Sequence, residues 1–348
     1  MGLATNSRER LMKKVFTVFV ALISLSVAAA AFLPASQKSL ITDIFVEPTY
    51  NSLSGREGSD GEILVVKIDD TVSARPQIGI DRADIVYIEQ VEGGLTRLAA
   101  VFSSEIPTLI GPIRSARISD IEILAQYGRV VFAYSGAQSK LLPVISAANL
   151  NDYGAQRQSP TIYTRDESRT SPTNMVLRAD LLLEKVHGDE REIATSRSAG
   201  WEFGDLADGG IAITDAKLSW PAASYELKWS AVESRWLIFN NAIPNMSASG
   251  AQHGPTTFLI QLVEISPSEY GDKFGGVTPY SKTVGTGTGF VLRDGKYFPA
   301  TWSRPDELSG TTWRALDGTE LPFARGQVWI ALTEKNPQFT LDSAPTKD

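Results

Sequence analysis

Two kinds of apolar run punctuate the chain, and they predict different things. The first, residues 15–33, is interrupted only by Thr17, Ser24 and Ser26. It has no polar face, so it does not read as an amphipathic helix of a globular domain. At about 1.5 Å rise per residue it is long enough to span a bilayer, while the alanines at 28–31 offer a small-residue cleavage site. Residues 1–33 therefore read as a signal peptide or a membrane anchor. Arg8, Arg10, Lys13 and Lys14 keep that flank cytoplasmic and place the rest outside. Residues 34–61, polar and carrying Pro48, Gly55 and Gly58, read as a tether.

The remaining runs are short. Residues 63–68 predict a buried strand bounded by Asp69 and Asp70. Residues 84–91 and 95–102 predict two strands joined as a hairpin across Glu92-Gly93-Gly94. Ser119 and Glu122 have capping-box spacing and predict a helix to about Tyr127, stopped by Gly128. A strand over 129–134 follows, then helices over 138–148 and 173–186, the latter the strongest helical pattern. From Ile211 the pattern is strand after strand. Residues 225–229 pair with 235–240, and 256–265 forms an apolar run. Asp294-Gly295 makes a type I′ turn between 290–293 and 296–302, Asp317-Gly318 repeats the device, and 327–332 is the last strand. The expected fold class is α+β: a mixed α/β N-terminal domain over 62–200, a β-rich C-terminal domain over 201–338, and a tail over 339–348.

Composition narrows the chemistry. The chain has no cysteine, and its two histidines, His187 and His253, lie far apart. That removes disulfides, thiolate and histidine metal sites and cysteine nucleophiles, so neither a metal nor a cofactor is expected. The chain carries −7 although the leader's cations outnumber Glu9 by three, so the exported part holds about −10. Such a surface disfavours nucleic acid as a partner. The glycine run 285–289 leads into a hairpin, not from a strand into a helix, and so reads as crowded backbone, not as a phosphate loop.

Three clusters can carry chemistry. Arg75 and Arg97 accompany Glu89 and Glu92; Arg114 and Arg117 stand just before the capped helix; Arg165, Arg169 and Asn174 precede the next one. Guanidinium forks match carboxylates and phosphates, and helix N-termini add unpaired N–H groups. The competing reading is that each arginine pairs with a nearby acid such as Asp120, Glu122, Asp166 or Glu167. Glu89 and Glu92 are candidates for a carboxylate pair of the glycosidase type. Three positions apart on one strand, however, they point to opposite faces.

The runs Ala74-Arg75-Pro76-Gln77, Asp84-Ile85-Val86-Tyr87, Val91-Glu92-Gly93-Gly94-Leu95-Thr96-Arg97 and Gly111-Pro112-Ile113-Arg114-Ser115-Ala116-Arg117 resemble the YerB family of bacterial extracytoplasmic proteins named as lipoproteins. That family is defined by a two-part domain of unknown function. The 285–289 run, Asp294-Gly295-Lys296, Thr301-Trp302 and Gly326-Gln327-Val328-Trp329 are similar to its second part. The resemblance covers about residues 60 to 335. The chain departs from it in lacking a lipidated cysteine, in having Thr173 where relatives have histidine, and in having Ile88 where an acid often follows the tyrosine. The resemblance implies an exported, membrane-associated cell-envelope protein and no established reaction.

Three functions follow as expectations. The first is a binding module whose groove, formed by Arg75, Arg97, Arg114, Arg117, Arg165, Arg169 and Asn174, holds an anionic envelope ligand, a peptidoglycan carboxylate or a wall-polymer phosphate. The second is a cofactor-free hydrolase of envelope glycan using Glu89 or Glu92. The third is a structural partner of another envelope protein, docking through an exposed apolar patch. Oligomeric state is not legible.

Overall fold

The computed structural model describes residues 49–205, 209–272 and 275–342. The predicted leader, residues 34–48 of the predicted tether and the last six residues lie outside these. The described residues form one compact unit.

The molecule is mostly sheet, with few helices. Strands β1 (Leu64–Asp69), β2 (Ile85–Gln90) and β3 (Thr96–Phe102) pair antiparallel in the order β2–β3–β1. Strand Val131–Ala133 continues the sheet parallel to β1. On the other side, Val328–Thr333 lies between β2 and Thr257–Leu262, parallel to both. Every residue of this strand is buried, as a parallel strand covered on both faces requires. From Thr257–Leu262 the sheet runs on through Gly285–Arg293, Lys296–Arg304, Ile211–Ser219, Ser224–Ser230 and Arg235–Asn240. One continuous sheet therefore joins the two expected domains, and the last long strand of the second part is hydrogen-bonded to the first.

The alternation of β1 sets up everything that follows. Leu64, Val66 and Ile68 join the core on one face, with Val86, Ile88, Leu98 and Phe102. Val65 faces the other side with Ile85, Tyr87 and Val101, covered by Ile123 and Leu124 of helix α1 (Ile118–Ala125). With period two, Lys67 and Asp69 share that second face, so an apolar surface turns polar towards the carboxyl end of the strand.

The sequence misplaces four features. Helix α1 begins two residues early: Asp120 Oδ2 accepts the Arg117 N–H at 2.7 Å, while the expected capping residues bond elsewhere. Ser119 Oγ accepts from the Ser281 N–H, and Glu122 accepts from Thr283 and Val284. Residues 175–178, expected as helix, form strand Met175–Arg178, because Leu109–Ile110 and Tyr163–Arg165 pair with it on either side. The pairing outweighs the modest helical preference, and helix resumes only at Ala179–Gly188. Residues 49–61 are no free tether where they are described: Asn51, Leu53 and Ser54 are buried, with Ser54 Oγ donating to Asp84. Residues 339–341, expected as tail, belong to strand Gln338–Leu341, which pairs with Ile211–Ser219. The Asp294-Gly295 hairpin forms as expected, both residues at positive φ.

One glycine fastens the two parts. Gly94, at φ +72°, ends the turn between β2 and β3, and a Cβ there would lie 2.4 Å from Pro221 Cβ. Its carbonyl accepts the Ala222 N–H at 2.9 Å. Gly94→Ala is expected to cost about 2–4 kcal/mol, summing a disfavoured backbone conformation and overpacking, measured by denaturant unfolding.

His253, in the second part, is 1% exposed, its ring 6.0 Å from that of Trp329 and neither ring nitrogen bonded. Burial pushes its pKa down to about 4, against the pull of Asp81. Below about pH 6.5 the unfolded chain takes up a proton that the folded chain refuses until about pH 4. This stabilisation is therefore complete above pH 6.5 and is lost as pH falls, by about 3 kcal/mol. Denaturant midpoints of wild type and His253→Phe between pH 7 and 4 check this: the variant is expected to lose that much of the acid dependence.

Candidate functional site

At the carboxyl ends of β1, β2 and Val131–Ala133 the sheet opens into a cleft of about 780 Å³. Ligands bind at this end of parallel strands in open α/β sheets. The floor comes from Asp69, Thr96 and Arg97; Glu92 and Leu95 come from the β2–β3 turn; Arg114, Ser115 and Arg117 come from the segment before α1. Gln138 and Ser139 form one wall, and Gly271 and Asp272, in the hairpin Ile265–Gly271 with Val277–Ser281, the facing rim.

Three of the six predicted arginines thus meet in one place: Arg97, Arg114 and Arg117. Two have acids of their own. Arg117 holds Glu92 Oε2 through Nε at 2.9 Å and Nη2 at 2.6 Å and donates to the Ala116 carbonyl. Arg114 Nε lies 2.7 Å from Asp69 Oδ2, a close ion pair that lacks hydrogen-bond alignment. Glu92 also accepts from the Thr278 hydroxyl. Burial works against the ionised form of Glu92, but Arg117 and Thr278 outweigh it and hold its pKa below the ordinary range.

Arg97 is different. Among the described residues it forms no ion pair, and its one bond is from Nη1 to the Ser115 carbonyl at 2.9 Å. Strand pairing places it directly opposite Asp69 on β1 and Glu89 on β2. Asp69 is engaged by Arg114, and Glu89 by Lys67. Burial, followed by the charges of Arg117 and Arg114, pushes the Arg97 pKa down to about 9. Glu92 and Asp69 oppose that shift, and near neutral pH the group remains a cation. On the same cleft, Gln138 Oε1 is buried without a partner.

Beneath the cleft Lys67, Glu89 and Asp120 are fully buried. Lys67 Nζ contacts Glu89 and donates to Asp120 Oδ1 at 2.7 Å. Asp120 has a second donor in the Arg117 N–H, whereas Glu89 Oε2 has none. Burial and the neighbouring Asp120 raise the Glu89 pKa, opposed by Lys67.

The other predicted residues lie elsewhere. Arg75 pairs with Asp70 at 3.0 Å, just past the end of β1, and does not line the cleft. Arg165, at the end of strand Tyr163–Arg165, is exposed and donates from Nη1 to Asn174 Oδ1 at 2.7 Å. Arg169 pairs with Asp166 and donates to the Ala74 and Pro76 carbonyls, tying two loops together. Glu89 and Glu92 form no open carboxylate pair, since one is sealed with Lys67 and the other is gripped by Arg117. Sequence reading missed Lys67, Asp69 and Asp120. The signal was present in β1, where positions 65, 67 and 69 share a face. Among the described residues no cluster of potential ligands could hold a metal.

Comparison with known proteins places this architecture. Over 54 residues the chain is 44% identical to "Putative lipoprotein YerB" of Bacillus subtilis (strain 168), a match spanning 16% of either chain. The crystal structure of the YerB protein from Bacillus subtilis superposes with a TM-score of 0.70 at 17% identity, covering 83% of this chain and 99% of that one, which establishes a shared fold. Residues 53–192 match the N-terminal domain, and residues 216–330 the C-terminal domain, of a protein family of unknown function, DUF3048. With both parts present and in order, the chain belongs to the DUF3048 family.

Proposed function

We propose that this is an extracytoplasmic cell-envelope protein whose cleft binds an anionic group of an envelope polymer, a peptidoglycan carboxylate or a wall-polymer phosphate. The relative's name, a lipoprotein, supports the location. This chain has no cysteine to carry a lipid, so residues 15–33 would supply the membrane attachment. The observation that carries the reading is Arg97: an unpaired guanidinium beside two others, in a cleft wide enough for a ligand. A carboxylate or phosphate there would form charge-assisted bonds and relieve the repulsion among the three cations.

The test uses full-length protein and purified cell wall. Arg97→Ala is expected to weaken wall retention about 10- to 150-fold, the loss of one charge-assisted contact worth about 1.5–3 kcal/mol. Retention should also fall with added salt. Walls stripped of phosphate polymer and walls with amidated carboxylates separate the two sources of the anion. Wild-type retention by a folded Arg97→Ala protein would refute the proposal.

A second measurement separates binding from a structural role. Because burial and the charges of Arg117 and Arg114 disfavour the Arg97 cation, outweighing Glu92 and Asp69, and it pairs with no acid, Arg97→Ala is expected to leave the melting temperature unchanged or raise it. Arg117→Ala, which strands Glu92 in a buried site, is expected to lower stability by about 3–5 kcal/mol.

A further inference from the structure

We infer that the cleft is one end of a longer groove built for a linear, hydroxyl-rich polymer bearing anionic groups, with a second subsite between Arg75 and Asn241. This deepens the anion-binding reading and rests on it. A pocket of about 110 Å³ adjoins the cleft, and Thr71, Leu95 and Thr96 line both. The far end of the pocket is formed by Arg75, Ala222, Ser224 and Asn241. The shared step carries one apolar side chain, Leu95, 41% exposed, together with Thr71 and Thr96; Val72, 74% exposed, lines the smaller pocket alone. Beyond the step polar groups stand among Val72, Ala222 and Ala223. Asn241 is exposed with its Oδ1 near the Ser224 hydroxyl, and Arg75 keeps a buried Nε with no partner.

A single carboxylate or phosphate has no use for this extension, since Arg97 and its neighbours already hold one anion. A space that mixes apolar side chains with amide and hydroxyl groups suits the next unit of a chain, whose carbon-rich face rests on Leu95 while its hydroxyls reach Asn241. The two spaces are kept in line by Asp70. Its carboxylate accepts from Arg75, from the Thr96 hydroxyl and, at 2.6 Å, from Tyr225 of the second part.

The experiment measures affinity of the full-length protein for two ladders of one to four repeat units, muropeptide glycan and glycerol-phosphate oligomer. Ala222→Phe fills the adjoining pocket from an exposed position, away from Arg97, Arg114 and Arg117, which line the cleft and not this pocket, and Asn241→Gly removes its amide while retaining the positive-φ backbone. In the ladder that binds, wild type should prefer two or more units to one by at least tenfold. Either variant should shrink that preference to about twofold and leave one-unit affinity unchanged. A wild type that binds all lengths alike, or folded variants that keep the preference, would overturn the groove. The anion site would still stand if Arg97→Ala abolished one-unit binding. No binding in either ladder would overturn both.

Discussion

Everything at the open end of the sheet depends on a buried ammonium. Lys67 sits with no exposure between Glu89 and Asp120, and a charge in that position is tolerable only while both carboxylates stay close. The three residues come from β1, β2 and α1, so the requirement fixes these elements relative to one another. Asp120 then accepts the backbone N–H of Arg117, the residue that caps the helix, whose side chain grips Glu92. Glu92 lies in the turn that Gly94 seats against Pro221. A single desolvated cation thus sets the position of the cleft wall, the turn and the contact between the two parts of the chain.

The same arrangement leaves Arg97 without a partner. In the row formed by Asp69, Arg97 and Glu89 the central cation has an acid on either side, and simple pairing would neutralise it twice. Instead Lys67 occupies Glu89 from below, and Arg114 occupies Asp69 from the loop. Such an arrangement gains nothing for the fold, since three guanidiniums share a confined space with their acids already engaged. Local conflict of this kind concentrates where a protein meets a ligand. Arg75, Arg165 and Arg169 show the contrast, being held by Asp70, Asn174 and Asp166.

Much of the architecture was legible because the strands are short apolar runs bounded by acids and glycines. The Asp294-Gly295 hairpin, the β2–β3 pair and strand Val328–Thr333 all follow from local pattern. What was not legible depends on partners distant in sequence. Residues 175–178 become strand only because Leu109–Ile110 and Tyr163–Arg165 flank them. Asn51 and Leu53 are buried only because the sheet is there to cover them. The arginines were legible as a class, but not which three converge, since that is decided by strand register and by which acids Lys67 and Arg117 consume.

The division of the chain into two family-matched parts takes on a physical meaning at this site. Strand Val328–Thr333 is inserted beside β2, so neither part completes its own sheet. The cleft draws its arginines from the first part and its rim at Gly271 and Asp272 from the second. Tyr225, Thr278 and Pro221, all from the second part, contact Asp70, Glu92 and Gly94 in the first. Each contact falls on a residue that shapes the cleft, not on the remote core. A site assembled across such a seam holds its geometry only when both parts are folded together, which accounts for their occurrence as one continuous sheet instead of two modules joined by a linker.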